Sequence, residues 1–147
     1  MEYKILFLCV HNSARSQMAE AFLNKLDGKA LIAESAGLEP GTLNPNVVEV
    51  MKEIGIDISG NRTKDVFELF KDGKKYDAVV TVRDAHNAER CPVFPGKVKR
   101  IAWFYDDPSS FKGTHEEILE RTRQVRDAVE RDVTAFVKEA NDISFWR

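Results

Sequence analysis

The sequence predicts an α/β fold in which layers of helices cover a small parallel sheet. Short apolar segments rich in Val, Ile, Leu and Phe, without clean polar alternation, are typical of strands buried on both faces. Segments with the apolar spacing of helices alternate with them along the chain. Because neighbouring parallel strands need crossover connections, and these helices supply them, we expect a layered sandwich in one domain, residues 1–147.

Four segments are predicted to form the strands: residues 3–10, 31–35, 76–82 and 98–104. Helices are predicted between and after them: residues 16–26, 45–54, 64–70 and a long segment that follows residue 114. Asn44 followed by Pro45 marks the start of the second helix. Thr114 and Glu117 form a capping box at the start of the last helix. The polar, proline-bearing segment 83–96 is predicted to be a functional loop.

The overall charge and composition exclude several classes of protein. Lysine and arginine number 22 and aspartate and glutamate 24, so the formal net charge is −2 and no basic field exists for nucleic acid. No apolar segment is long enough to span a membrane, and the start of the chain lacks the layout of a signal peptide. We therefore expect a cytoplasmic protein with no nucleic-acid or membrane partner. In a reducing compartment the two cysteines can be core residues, metal ligands or reactive thiols, rather than a structural disulfide.

The segment CVHNSARS carries the first indication of chemistry. Cys9 ends the first predicted strand, and Arg15 follows after five residues, immediately before a helix. There, backbone N–H groups, the helix dipole and a guanidinium fork can bind an oxyanion and favour a reactive thiolate, although a strand-terminal cysteine can also serve packing alone. We expect Ser16 to donate a hydrogen bond to Cys9 and Asn12 to fix the loop. The predicted oxyanion-binding residues are Val10, His11, Asn12, Ser13, Ala14, Arg15 and Ser16.

Several segments together resemble one enzyme family. The stretches CVHNSARSQMAEAF and ESAGLEPGTLNPNVVEVMKEIGIDISG, the CPVFPG segment and a late Asp-Pro pair are similar to arsenate reductases built on the low-molecular-weight protein tyrosine phosphatase fold, up to about residue 137. The resemblance implies a three-layer α/β sandwich with a four-stranded parallel sheet flanked by helices. It also implies Cys9 as nucleophile, Arg15 as oxyanion clamp and Asp107, beside Pro108, as proton donor. Asp106 is the neighbouring candidate for that last role.

The resemblance also bears on how the reaction is completed. Thioredoxin-coupled reductases of this kind carry two relay cysteines in the loop after the third strand. Cys91 matches the second of them, whereas Arg83 stands where the first is expected. Two routes are open: Cys91 resolves an arsenic adduct on Cys9 and the disulfide is reduced by thioredoxin, or a small external thiol resolves the adduct directly. We expect no tightly bound cofactor, and the resemblance adds only the potassium ion considered below.

Two other functions compete with arsenate reduction. If no thiol resolves the adduct, the same site can act as a tyrosine-phosphatase-type phosphomonoesterase, in which water attacks a phosphocysteine. Such phosphatases usually carry aromatic residues after the Asp-Pro pair, and this chain has DPSSFKGT. An anion-binding module is the third hypothesis, but binding alone requires neither the nucleophile Cys9 nor the acid Asp107.

The remaining expectations concern metals and the end of the chain. The three histidines, His11, His86 and His115, have no zinc-ligand spacing with the cysteines. The resemblance implies a potassium site formed by Asn12, Glu20, Ser35 and Asp65. Phe145 and Trp146 either dock on the domain or support self-association.

Overall fold

The computed structural model describes residues 2–83 and 94–147, and within them it shows a four-stranded parallel sheet. Its order is β2-β1-β3-β4, with the strands β1 (Tyr3–Cys9), β2 (Leu31–Gly37), β3 (Ala78–Arg83) and β4 (Lys99–Phe104). The predicted fold class is therefore confirmed. Because all four strands run in one direction, their carboxyl ends meet at one edge of the sheet, and Cys9 lies there as the last residue of β1.

Helices cover both faces of the sheet in the described part of the chain: α1 (Arg15–Leu26), α2 (Pro45–Glu53), α3 (Val66–Lys71) and α4 (His115–Ala140). Successive side chains of β1 point to opposite faces. Ile5 and Phe7 pack with α1, α2 and α4 in the larger core, whereas Leu6 and Leu8 pack with Val66 of α3 in the smaller one. These two cores produce the three layers of the sandwich. No helix in either described range is long and apolar enough to cross a membrane.

Side-chain caps fix the starts of two helices as predicted. The Asn44 side chain accepts two backbone N–H bonds from the first turn of α2, at 2.8 and 3.3 Å, and Pro45 occupies the first helical position. At the start of α4 the capping box is complete. The Thr114 N–H donates to the Glu117 carboxylate at 3.2 Å, and this bond holds the pKa of that carboxyl below its usual value.

Several predicted boundaries differ from the observed ones by one or two residues, and two of these differences have a clear cause. The third helix begins at Val66 rather than at residue 64, because the Asp65 carboxylate caps it by accepting the Phe67 N–H at 2.8 Å. Strand β2 continues to Gly37 rather than ending at residue 35, because β1 extends beside it and pairs Cys9 with Gly37. Of the predicted loop at 83–96, residues 84–93 lie outside the described residues.

The end of the chain docks on the domain. The Trp146 ring stacks on Tyr3, with ring centroids 4.1 Å apart, and its Nε1 donates to the Ala140 carbonyl at 2.8 Å. Phe145 packs edge-on against Phe136 of α4 at 5.6 Å. The Lys99 ammonium lies 4.3 Å from the centroid of the Phe145 ring and donates to the Phe145 carbonyl at 2.6 Å. Of the two alternatives for these aromatic residues, docking on the domain is the one observed.

We expect Trp146→Ala to lower the free energy of unfolding by about 2 kcal/mol, because it removes a stacked ring and a hydrogen bond. Urea unfolding followed by circular dichroism measures this change. Ile143→Ala is the matched control, since that side chain is 57% exposed and its removal should cost less than about 0.5 kcal/mol. Equal losses in the two variants would contradict the role of the stacked ring.

Candidate active site

The loop that joins β1 to α1, residues 10–14, is held along one side by the segment 38–44. Backbone N–H groups of that segment donate to carbonyl groups at the loop in four pairs: Leu38 to Cys9 (3.1 Å), Glu39 to Val10 (2.7 Å), Gly41 to His11 (3.0 Å) and Asn44 to Ser13 (2.9 Å). In a trans peptide unit the N–H points away from the carbonyl that precedes it, and none of the described bonds is cis. Consequently, four N–H groups point to the inner side of this anion loop: those of Val10, His11, Asn12 and Ala14.

The thiol of Cys9 lies inside the anion loop and is only 6% exposed. Its Sγ accepts the backbone N–H of Asn12 at 3.1 Å and lies 2.8 Å from Ser16 Oγ. Asn12 Nδ2 donates to the same Ser16 oxygen at 2.8 Å, which leaves the single Ser16 proton free to point at the sulfur. Two hydrogen-bond donors are therefore directed at the sulfur.

Arg15 is the first residue of α1, and its side chain is almost completely buried, with 3% exposure. Nη1 donates to the Tyr105 carbonyl at 3.0 Å, and Nη2 lies 3.7 Å from Asp107 Oδ2. Nε is buried and has no acceptor among the described residues. A buried donor left without an acceptor costs roughly 1–3 kcal/mol, so the guanidinium retains a site for an added anion.

The amino terminus of α1 is directed at the same place. Its cap residue is Ala14, which provides no side-chain hydrogen bond, and the first turn contains no acidic residue. The positive end of the helix dipole is therefore not neutralised by the helix itself. Together with the inward N–H groups and Arg15, it forms a compact positive site that suits a tetrahedral oxyanion.

The Asp-Pro loop brings one aspartate to this site and not the other. Asp107 caps the short 3₁₀ helix Pro108–Ser110, its Oδ1 accepts the Ser109 N–H at 3.0 Å, and its Oδ2 faces Arg15. The neighbouring Asp106 is exposed and lines a separate groove beside α4. Asn44 Nδ2 donates to Ser109 Oγ at 3.1 Å and so links this loop to the segment that holds the anion loop.

The other predicted residues have varied positions. His11 Nδ1 lies 2.9 Å from the Glu39 carbonyl, which can only accept, so this nitrogen carries a proton and the ring lies beside the segment 38–44. His115 lies on α4, with Nε2 3.4 Å from Glu49 at the surface. Cys91 and His86 lie outside the described residues. Within residues 2–83 and 94–147 no group of three His, Cys, Asp or Glu side chains is placed to hold a metal ion.

The residues of the predicted potassium site give a mixed arrangement. Ser35 Oγ is fully buried and has no partner among the described residues, as a ligand oxygen would be. Asn12 Oδ1, however, already accepts two N–H donors, and Glu20 Oε1 lies 3.5 Å from the Lys64 ammonium. A potassium ion would have to share Glu20 with that ammonium, so the set does not fit the ion in this arrangement. Potassium binding stays a prediction from the resemblance, and no step below depends on it.

The comparison with protein families agrees with this geometry. The model of the family described as low molecular weight phosphotyrosine protein phosphatase matches residues 4–143. The chain belongs to this family. Among curated relatives, arsenate reductases from Halalkalibacterium halodurans and Bacillus subtilis are each 43% identical to it, over 136 and 142 residues. These matches cover 91% and 94% of this chain and 94% and 98% of the relatives, and they confirm the resemblance drawn from the sequence.

Solved structures of similar proteins have the same fold. One described as an arsenate reductase in the phosphate binding state superposes with a TM-score of 0.75 at 28% identity, and the match covers 95% of this chain and 98% of that one. A thioredoxin-dependent arsenate reductase from Corynebacterium glutamicum superposes with a TM-score of 0.62 at 27% identity, over 91% of this chain and 63% of that one.

Some residues of the site were not assigned a role from the sequence. Gly37 and Gln17 lie within segments quoted for the family resemblance, but nothing in the pattern indicated what they contact. The carbonyl of Tyr105, which binds Arg15, has no signal in the sequence because it belongs to the backbone. Asn44 was recognised as a helix cap, but its second contact, with Ser109, depends on the tertiary fold.

We expect Gly37→Ala to weaken the binding of inorganic phosphate at least tenfold, or about 1.4 kcal/mol. A Cβ on Gly37 would lie 2.8 Å from the Val10 carbonyl oxygen and 2.9 Å from the Asn12 nitrogen, which are backbone atoms of the anion loop. Because these atoms cannot rotate away, the loop and its N–H groups must shift. Isothermal titration calorimetry measures the affinity. Gly60→Ala is the control, since its Cβ would meet nothing within 4 Å, and an equal loss there would contradict the argument.

Proposed function

We propose that the protein reduces arsenate to arsenite through a covalent adduct on Cys9. The observation that carries this proposal is the buried Nε–H of Arg15, which has no acceptor among the described residues and lies where α1 begins. A tetrahedral oxyanion would satisfy that donor and the inward N–H groups, and would present its central atom to the Cys9 sulfur. The curated relatives named arsenate reductase favour arsenate over a phosphoester as the substrate.

In the first step the Cys9 thiolate attacks arsenic. An As–S bond forms, an As–O bond breaks, and the leaving oxygen departs as water once it has been protonated. We assign that proton to Asp107, whose Oδ2 faces the oxyanion clamp at 3.7 Å. A positioned acid of this kind contributes roughly a hundredfold or more to the rate.

In the second step arsenic is reduced. A second thiol attacks the Cys9 sulfur and gives up its proton, and an S–S bond forms. The As–S bond breaks with its electron pair retained by arsenic, so that arsenite is released and two thiols have supplied two electrons. The second thiol is either Cys91 or a small external thiol, and we assign it to Cys91 because it is the one other cysteine of the chain. That route requires the two Cα atoms to come within about 7 Å.

The resulting Cys9–Cys91 disulfide needs an external reductant. The structural similarity to a thioredoxin-dependent arsenate reductase supports a thioredoxin in this role. Arg83, the last residue of β3, occupies the place expected for a further relay cysteine, so the proposed cycle uses two protein thiols rather than three. Thiol reductants of this kind operate in a reducing compartment, and the cytoplasm stays the predicted location.

The proposal is tested by measuring arsenite produced from arsenate with thioredoxin and its reductase, and separately with small thiols. Wild-type protein should be active, and Cys9→Ser should lose essentially all turnover while still binding phosphate. Cys91→Ser should lose thioredoxin-driven turnover, and mass analysis after one turnover without reductant should find an intramolecular disulfide in the wild type. If Cys91→Ser stays fully active with small thiols and the wild type forms no disulfide, the external thiol is the resolving group. Turnover by Cys9→Ser would exclude the mechanism.

Phosphatase chemistry is the second candidate, favoured by the name of the family. It would share the first step, with phosphorus in place of arsenic and water attacking the adduct. The aromatic residues nearest the Asp-Pro loop have other contacts. The Phe111 ring is covered by the Arg121 guanidinium at 4.0 Å, and the Tyr105 hydroxyl donates to Asp132 of α4. Because both aromatic residues are held by these contacts, we expect at most weak turnover of aryl phosphates.

We expect Asp107→Asn to lower kcat for arsenate at least a hundredfold with a much smaller effect on phosphate affinity, because it removes a proton donor and retains the shape of the side chain. Asp106→Asn is the matched control, since that exposed carboxylate lies in the groove beside α4. Steady-state kinetics and phosphate titration separate the two effects. A larger loss of kcat in Asp106→Asn would transfer the role to that neighbour.

A further inference from the structure

We propose that Gln17 is a positioning residue that completes the anion loop by aiming the Ser13 N–H into the oxyanion site. The inference rests on the proposed function of that site and concerns a residue that touches neither the sulfur nor the bound anion. The hydrogen bonds of a single buried amide carry it. Gln17 is the third residue of α1 and is completely buried.

The first step concerns the one carbonyl that the segment 38–44 does not hold. Of residues 9–13, the carbonyls of Cys9, Val10, His11 and Ser13 accept N–H groups of that segment. The Asn12 carbonyl instead accepts Gln17 Nε2 at 3.1 Å. Because an N–H points away from the carbonyl that precedes it, this bond turns the Ser13 N–H to the inner side of the loop. Gln17 therefore supplies, from α1, the hydrogen-bond donor that the segment 38–44 supplies to the other four carbonyls.

The second step concerns the side chain of Asn12. This residue has φ 54°, a left-handed conformation that side-chain hydrogen bonds must hold. Its Oδ1 accepts the Lys64 N–H at 3.0 Å. It also lies 3.1 Å from Gln17 Nε2, whose two protons it shares with the carbonyls of Asn12 and Arg62. These contacts direct Nδ2 at Ser16 Oγ. Ser16 is thereby left to donate to Cys9. Loss of the Gln17 amide removes one of the two groups that orient this chain of hydrogen bonds.

The third step fixes the orientation of the Gln17 amide. Nε2 faces the carbonyls of Asn12 and Arg62, at 3.1 and 3.0 Å, and carbonyl oxygens can only accept. Oε1 accepts the Asn61 side-chain N–H at 3.1 Å. Among uncharged side chains of this length, glutamine alone supplies two N–H protons together with an acceptor oxygen. An apolar side chain would fill the same volume but could hold neither the Asn12 peptide unit nor residues 61–62.

The test separates positioning from packing with two variants of similar size. Gln17→Met keeps the length of the side chain and removes the amide, and Gln17→Glu replaces the donor with an oxygen that faces two carbonyls. We expect phosphate binding, measured by isothermal titration calorimetry, to weaken about tenfold in Gln17→Met and further in Gln17→Glu. The kcat/KM for arsenate should fall at least as much.

Val133→Ala is the control for general destabilisation, since Val133 is a fully buried core residue of α4 and belongs neither to the anion loop nor to the segment 38–44. It should lower the free energy of unfolding and leave phosphate affinity within twofold of the wild type. The inference is overturned if Gln17→Met also stays within twofold, or if Val133→Ala weakens phosphate binding as much as Gln17→Met does. If the wild-type protein binds phosphate but does not reduce arsenate, the proposed function is wrong, whereas the role of Gln17 in anion binding still stands. Wild-type protein that does not bind phosphate would overturn both.

Discussion

The outward orientation of successive backbone carbonyls at residues 9–13 is the constraint on which the candidate site depends. A loop of this kind gathers N–H groups on its inner side, and it would collapse if its carbonyls were free to turn inward. The parallel pairing of β1 with β2 prevents this, because it delivers the segment 38–44 in register beside the loop. The strand pairing thus gives the site a positive potential through backbone N–H groups alone, independently of any charged side chain.

The burial of Arg15 adds a second constraint. A guanidinium that is 3% exposed must have its charge and its donors compensated within the protein. The Tyr105 carbonyl and Asp107 compensate part of it, and one donor stays unsatisfied among the described residues. Tyr105 is itself fixed: burial and its hydrogen bond to Asp132 raise the pKa of its phenol, so the hydroxyl stays a donor to α4. The proposed oxyanion would satisfy that donor and complete a network that already links the ends of β1 and β4.

The sequence was sufficient for the fold because its signals are local. Apolar segments, the Asn44-Pro45 start and the Thr114–Glu117 box each act within a few residues, and each is present in the structure. The candidate nucleophile and the candidate oxyanion clamp could be proposed for the same reason, since Cys9 and Arg15 flank one loop. Contacts between distant segments could not be foreseen. Every residue type has the same backbone carbonyl, so the sequence gives no sign that the one at Tyr105 binds Arg15. The close approach of Gly37 to the anion loop follows only from the register of β1 and β2.

The docking of Phe145 and Trp146 on the domain, here called the aromatic clasp, has a practical consequence. Tyr3 and Lys99, which hold Trp146 and Phe145, are the first residues of parallel strands, whereas Cys9 is the last residue of one. The clasp and the sulfur therefore lie at opposite poles of the sheet. A molecule tethered to an electrode or bead through residue 147 would present its anion loop to the surrounding solution, which is the orientation that an arsenic sensor requires.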